Sequence, residues 1–278
     1  MIHCFWHVDF EDNFQKVPNR RSSNNYGDII SPEIATYMTG EKYIINTGSP
    51  PPRLLCCGSI VGVAQENDKV WGCGLISDST PAPASKNITF AAVRGPLTRK
   101  KLIDAGFDVP EIYADSGILL KFIHPGENVK NGPIGIVPHY ADRALYFSIT
   151  EKFKNDSRIK FIDIIGNPKT ISAQIRSCSA IISSSLHGIV AAESFGIPAM
   201  FIRMGDRVVG GNFKFNDYYL GTGREPVKPI EWKYELIIED VIWAAQVAAR
   251  IPPPNFNFKD FIRAFPYPEK NIRLGEFV

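Results

Sequence analysis

The sequence predicts an α/β protein in which two parallel sheets face one cleft. Short apolar runs alternate with segments of helical periodicity, which is typical of parallel strands joined by helices. The alternation occurs on both sides of a polar stretch, 121–132, that contains two glycines and a proline and is the candidate linker. We therefore expect an N-terminal domain over residues 1–122, a second domain over 133–250, and a tail, 251–278, that packs across the surface.

The composition is that of an ordinary globular protein. The 278 residues are 44% hydrophobic and 22% charged, with a formal net charge of +2. This charge argues against a nucleic-acid partner, and no apolar run approaches the roughly 20 residues of a transmembrane helix. The N-terminal residues lack the basic and apolar regions of a secretory signal, and the five cysteines include no Cys-x-x-Cys pair. We expect a reduced, cytoplasmic protein.

Each half supplies its own elements. In the first half, we expect strands at 2–8, 43–45, 54–57, 70–71 and 90–93, and helices that begin near Asp28, after Gly58 and at Pro96. In the second half, we expect strands at 134–137, 160–165, 180–182 and 199–202, and helices at 143–153, 170–178 and 232–250. His3 and His7 lie on the first strand, but no carboxylate or cysteine pair completes a ligand set there, so no metal is expected.

One stretch, 180–198, combines the features of a ligand site. A buried strand leads into three serines and then into a helix whose first turn carries His187 and Gly188. Ligands bind at the carboxyl ends of strands in open α/β sheets, and the N-terminus of a helix attracts anions. Ser184 and Ser185 add neutral donors, and a histidine in this position can act as an acid or a base. The alternative is a capped helix that carries a histidine on its surface.

Other candidate residues also follow strands. Asp28 either caps its helix or projects a carboxylate into the cleft. Arg94 can clamp a phosphate or carboxylate with two parallel hydrogen bonds, or it forms a structural ion pair. Ser59, Gly74 and His139 occupy similar positions, and glycine there permits close approach of the backbone to a ligand. If the carboxyl edges of two sheets face each other, these groups suit a phosphorylated, acidic small molecule together with a hydroxyl-bearing acceptor.

Several short motifs occur in the order found in a known family and cover roughly residues 24–220. They are Asn25-Tyr-Gly-Asp28, Val70-Trp-Gly-Cys-Gly74, Val93-Arg-Gly-Pro-Leu-Thr98, Asp115, Ser184-Ser-Leu-His-Gly188 with Ala192 and Gly196-Ile-Pro198, and Lys214-Phe-Asn-Asp-Tyr218. Through them the chain resembles the polysaccharide pyruvyl transferases. Many members carry arginine immediately before Leu-His-Gly, where this chain has Ser185, and in this it is similar to the exopolysaccharide ketal pyruvyltransferases. The candidates to replace that arginine are Arg94, Arg203, Arg207 and Lys214.

The resemblance implies two Rossmann-like domains arranged as in GT-B glycosyltransferases. It also implies transfer of the pyruvyl group of phosphoenolpyruvate to a sugar as a cyclic ketal, with release of phosphate and without a cofactor. The acceptor would be a polysaccharide or a lipid-linked oligosaccharide precursor, which would bring the protein to the inner face of the membrane. His187 would be the acid or acid–base, Asp28 the base or hydroxyl ligand, and Arg94 the clamp for phosphate or carboxylate. The remaining substrate-binding residues would be Ser59, Gly74, His139, Ser184, Ser185, Gly188 and Lys214.

Two other functions fit the same scaffold. A nucleotide-sugar glycosyltransferase would need a site for a base and a ribose, and no acidic residue in the second half is clearly placed to bind ribose. A non-catalytic sugar- or nucleotide-binding protein would have no need of both His187 and Asp28.

Overall fold

The computed structural model describes residues 2–6, 25–41, 44–46, 52–232 and 236–268, and within them it contains two sheets of five parallel strands each. The two parallel sheets, each accompanied by helices, confirm the expected α/β class. His7 and Tyr43, which belong to expected strands, lie outside the described residues.

The first sheet has the strand order β2-β1-β3-β4-β5. Its strands are β1 (Ile2–Cys4), β2 (Ile44–Asn46), β3 (Leu54–Leu55), β4 (Lys69–Trp71) and β5 (Thr89–Ala92), and its helices are α1 (Tyr26–Ile29), α2 (Ser31–Thr39), α3 (Pro96–Asp104) and α4 (Leu120–Ile123). Pro96 occupies the first position of α3, where its missing N–H removes no hydrogen bond within the helix. The helix expected after Gly58 is only a single 3-10 turn, Val61–Val63.

The second sheet has the order β10-β9-β8-β6-β7. Its strands are β6 (Ile134–Val137), β7 (Ile159–Phe161), β8 (Ala180–Ser183), β9 (Ala199–Arg203) and β10 (Ile230–Glu231). The helices in this half of the chain are α5 (Arg143–Phe153), α6 (Pro168–Arg176), α7 (Leu186–Ser194), α8 (Phe213–Gly221), α9 (Ile238–Ala248) and α10 (Phe258–Arg263). The helix expected from Trp232 begins only at Ile238. The backbone N–H of Trp232 instead donates to the carbonyl of Arg203, which continues the pairing of β10 with β9.

Residues of the second half pack directly against the first sheet. A Cβ built on Gly95, just before α3, would lie 1.8 Å from the carbonyl oxygen of Asp217 in α8, so only glycine fits this crossing. Phe261 of α10 stacks on Trp71 with ring centroids 4.3 Å apart, and its carbonyl accepts the indole N–H at 2.9 Å. Part of the C-terminal segment is therefore core of the first sheet.

The short helix α1 is held in place by the second half of the chain. The N–H of Tyr26 donates to the carbonyl of Ile164 at 2.9 Å, and the Tyr26 hydroxyl lies 2.7 Å from Oγ of Ser172 in α6. The same Oγ lies 2.7 Å from Nδ1 of His124, whose Nε2 lies 2.8 Å from a Glu33 carboxylate oxygen. This polar chain fixes Gly27 and Asp28, which follow Tyr26, relative to the second sheet.

Candidate active site

A cavity of about 320 Å³ lies where the carboxyl ends of strands from both sheets meet. This volume suits a small metabolite. Six of the ten predicted site residues line it: Asp28, Ser59, His139, Ser185, His187 and Lys214. Arg207, a candidate to replace the missing arginine, also lines it, as do Asn25, Gly58 and Tyr140, to which the sequence gave no site role.

His187 lies on the first turn of α7, as the sequence predicts, and its ring packs directly over Gly27. A Cβ built on Gly27 would lie 1.9 Å from Nδ1 of His187. The other ring nitrogen, Nε2, lies 3.3 Å from Sγ of Cys57 and 3.7 Å from Oδ2 of Asp115. The side chain is 11% exposed, so the imidazole reaches the cavity from an otherwise buried position.

Asp28 contributes a partly buried carboxylate to the cavity. Nδ2 of Asn25 donates to its Oδ2 at 2.7 Å. Gly58, whose φ is +97°, lies on the Oδ1 side, where a built Cβ would be 3.4 Å from that oxygen. The hydrogen bond from Asn25 therefore orients the carboxylate at the cavity wall.

Two cations line the cavity, Lys214 and Arg207. Lys214 is 6% exposed, and burial lowers its pKa to about 8, with the nearby Arg94 acting in the same direction and Asp28 and Asp142 opposing it. Arg207 is exposed. Of the four residues proposed to replace the arginine missing before Leu186, these two lie where a ligand would sit.

Arg94 does not line this cavity, so direct clamping of an anionic donor does not fit its geometry. It is fully buried, and its Nε and Nη2 each lie 3.1 Å from Oδ2 of Asp217. Nη1 donates to Oγ of Ser59 and Nη2 to the carbonyl of Leu75. This is the structural ion pair that the sequence left as the alternative, and through Ser59 it supports the cavity wall from behind. Arg203 is likewise paired, with Glu231.

Gly74 and Gly188 also lie outside the lining, and close packing explains both glycines. A Cβ on Gly74 would approach the Arg94 guanidinium carbon to 2.5 Å, and a Cβ on Gly188 would approach Oγ of Ser183 to 2.4 Å. Glycine at these two positions therefore allows the Arg94 pair and the packing of α7 on β8.

The three serines before α7 have separate roles. Ser183 donates to the carbonyls of Val137 and Ser185 and closes the turn. Ser184 donates to Asp142 at 2.7 Å and accepts from the N–H of His139 at 2.9 Å, which places it behind the cavity. Ser185 lines the cavity and makes no side-chain hydrogen bond to α7. Of the predicted pair, Ser185 is therefore the residue that lines the cavity.

Sequence reasoning missed Cys57 and gave Asp115 no role. The available signal was the position of each residue, since Cys57 lies two residues after the end of β3 and Asp115 begins a turn after the last apolar run of the first half. Tyr140, whose ring lies 4.2 Å from that of His139, was identifiable only as the neighbour of a predicted residue. Gly27 and His187 are 160 residues apart in the chain, so no local sequence pattern indicates that they are in contact.

The fold and the cavity together define an α/β protein with a candidate small-ligand site between two parallel sheets. The chain belongs to the polysaccharide pyruvyl transferase family, whose sequence model matches residues 3–206. It is also similar to a protein of Acanthamoeba polyphaga mimivirus described as uncharacterized protein L143. The two sequences are 35% identical over 210 residues, which cover 72% of each chain. Family membership indicates, in general terms, pyruvyl transfer to a polysaccharide. Among the described residues, no helix has both the length and the apolar character needed to cross a bilayer.

Proposed function

We propose that this protein transfers the three-carbon skeleton of phosphoenolpyruvate to two hydroxyls of one sugar, forming a cyclic ketal and releasing phosphate. The acceptor is a polysaccharide or its lipid-linked oligosaccharide precursor, met at the cytoplasmic face of a membrane. One observation carries the proposal: His187, Asp28 and the cations Lys214 and Arg207 share one cavity of metabolite size. In a GT-B-like arrangement, the two sheets would belong to domains 1–122 and 133–250, with the substrates between them.

The reaction requires two new carbon–oxygen bonds at C2 of the donor. The methylene carbon takes up a proton and becomes a methyl group, while the oxygens of two sugar hydroxyls bond to C2. The bond from C2 to the phosphate oxygen breaks, and phosphate leaves. Of the two hydroxyl protons, one replaces the proton given to the methylene carbon and the other leaves with phosphate. No oxidant or reductant is needed.

The cavity residues divide this work. His187 supplies the proton to the methylene carbon and is recharged from a sugar hydroxyl. Asp28 accepts a hydroxyl proton or orients that hydroxyl, and it also opposes the positive charge that develops at C2. Lys214 and Arg207 bind the carboxylate and the departing phosphate, with Ser59, Ser185 and His139 as additional hydrogen-bonding groups.

The test is incubation of the purified protein with phosphoenolpyruvate and a panel of methyl hexopyranosides and lipid-linked oligosaccharides. Phosphate release that depends on acceptor, together with an acceptor mass increased by that of pyruvic acid less one water, supports the proposal. Turnover only with nucleotide sugars would establish the glycosyltransferase alternative. Saturable binding of sugars or nucleotides without turnover would establish the binding-protein alternative.

A further inference from the structure

The imidazole of His187 is held from behind by two residues that do not line the cavity. Cys57 is 1% exposed and Asp115 is fully buried, and both approach Nε2. The ring edge that carries Nδ1 lies against Gly27, next to Asp28 in the cavity wall. The two ring nitrogens therefore have different surroundings: Nε2 faces the buried Cys57 and Asp115, and Nδ1 lies on the side of Gly27 and the cavity wall.

The direction of each hydrogen bond behind the ring follows from the protons available. Asp115 accepts at Oδ1 from the N–H of Gly117 at 2.9 Å and from the Cys57 thiol at 3.6 Å. A neutral thiol has one proton to donate, and burial raises the pKa of Cys57 well above its ordinary value, so the thiol keeps that proton. With its proton directed to Asp115, the sulfur offers His187 only lone pairs. Nε2 must then be the donor in this contact.

We propose that Cys57 and Asp115 are positioning residues that keep the proton of neutral His187 on Nε2, so that Nδ1 is the atom that exchanges a proton with the substrates. The catalytic meaning of this arrangement rests on the proposed function, whereas the tautomer itself needs no substrate.

Asp115 also has a role when the ring is charged. Its Oδ2 has no hydrogen-bond partner among the described residues and lies 3.7 Å from Nε2. A proton that passes from a sugar hydroxyl to Nδ1 creates an imidazolium, and the buried carboxylate stabilises its charge until Nδ1 gives the proton to the methylene carbon. The other titratable groups that line this cavity are Asp28, His139, Tyr140, Arg207 and Lys214.

The tautomer is measured by long-range ¹H–¹⁵N NMR on protein labelled at the histidines, with the His187 signals assigned by their loss in His187→Gln. Wild type is expected to show a protonated Nε2 and an acceptor-type Nδ1. Cys57→Ser keeps both a donor and lone pairs and should give the same spectrum, whereas Cys57→Ala should give a mixture of tautomers. Cys73→Ala is the matched control, because this buried thiol donates to the carbonyl of Leu55 instead.

Asp115→Asn gives an independent test because its amide has a fixed direction. Its carbonyl keeps the contact with the N–H of Gly117, so the NH₂ group occupies the Oδ2 position and faces Nε2. This should reverse the tautomer, placing the ring proton on Nδ1. Turnover should fall by roughly 10²–10⁴-fold, as expected when a triad-type carboxylate becomes an amide, while KM for phosphoenolpyruvate changes little.

Three results would overturn the proposal: a wild-type ring protonated at Nδ1, a Cys57→Ala spectrum identical to wild type, or a stoichiometric metal ion on these residues. The last is a defined alternative, because Cys57, Asp115 and His187 each place one ligand atom within 4.8 Å of the others. The test separates this proposal from the proposed function. If the protein has the Nε2–H tautomer but does not transfer pyruvyl groups, the positioning proposal stands and the proposed function is wrong. If the protein is active but has the opposite tautomer, the proposed function stands and the positioning proposal is wrong.

Discussion

Gly27 and His187 are in direct contact, and a single methyl group on Gly27 would lie 1.9 Å from the imidazole Nδ1. The contact joins α1 to α7, and it aligns the cavity wall that carries Asp28 with the helix turn that carries His187. Two motifs that look independent in the sequence are therefore two sides of one packed site.

Gly27→Ala should displace the His187 ring and lower turnover by about 10–10³-fold. Alanine is favoured over glycine in a helix by roughly 0.5–1 kcal/mol, so the fold should tolerate the change. The measurement is kcat for Gly27→Ala, His187→Ala and the double variant. Because the clash requires the ring, Gly27→Ala should cause no further loss in a His187→Ala background. Additive losses would contradict the steric explanation.

Lys214 should give donor binding a pH dependence that Arg207 does not. Since burial lowers the Lys214 pKa to about 8, the side chain is charged below that pH and loses its charge as pH rises through it. KM for phosphoenolpyruvate should therefore rise as pH increases above about 8. Lys214→Met should raise KM by roughly 10–100-fold and remove this dependence, since a hydrogen bond to a charged group contributes about 1.5–3 kcal/mol.

Arg207→Ala is the comparison for Lys214→Met. It should raise KM at every pH and retain the rise above pH 8, because arginine stays charged throughout. If Lys214→Met keeps the same pH profile as wild type, Lys214 is not the group that titrates.

The Arg94–Asp217 pair should matter for stability. Both side chains are fully buried, and Asp217 also accepts from the N–H and hydroxyl of Thr98. Asp217→Ala leaves the guanidinium unpaired and should lower the free energy of unfolding by about 3–5 kcal/mol, measured by urea denaturation. Asp104→Ala, which breaks the exposed pair with Lys100, is the control and should have a much smaller effect. Unchanged stability in Asp217→Ala together with lost donor binding would restore Arg94 as a donor ligand.

His187→Ala should lower turnover by roughly 10²–10⁴-fold while the donor still binds. The melting temperature should stay within a few degrees of wild type, and His187→Asn should not restore activity, because an amide cannot transfer a proton at neutral pH. A purely structural histidine would give the opposite result. His187→Asn would then retain most activity, and the loss in His187→Ala would parallel a loss of thermal stability.

Local sequence patterns predicted the elements that hold the site. Apolar runs such as Ile134–Val137 and the helix 143–153 were placed correctly because periodicity and length distinguish buried strands from amphipathic helices. The turn before Leu186 was also located correctly. A strand that is followed by serines and then by a helix must place those serines at the edge of the sheet. The boundary at Trp232 was wrong because apolar spacing does not reveal pairing with a distant strand, here through the carbonyl of Arg203.

The sequence by itself determined the α/β class, the presence of two parallel sheets and the position of His187 on a helix turn at a sheet edge. Only the tertiary structure decided which charged groups face a ligand. Arg94 and Lys214 both lie in motifs that suggest a ligand site. Arg94 is nevertheless paired with Asp217, 123 residues away, whereas Lys214 lines the cavity. The reason is physical: local periodicity fixes which elements form, whereas the partner of a buried charge is set by packing between elements distant in the chain.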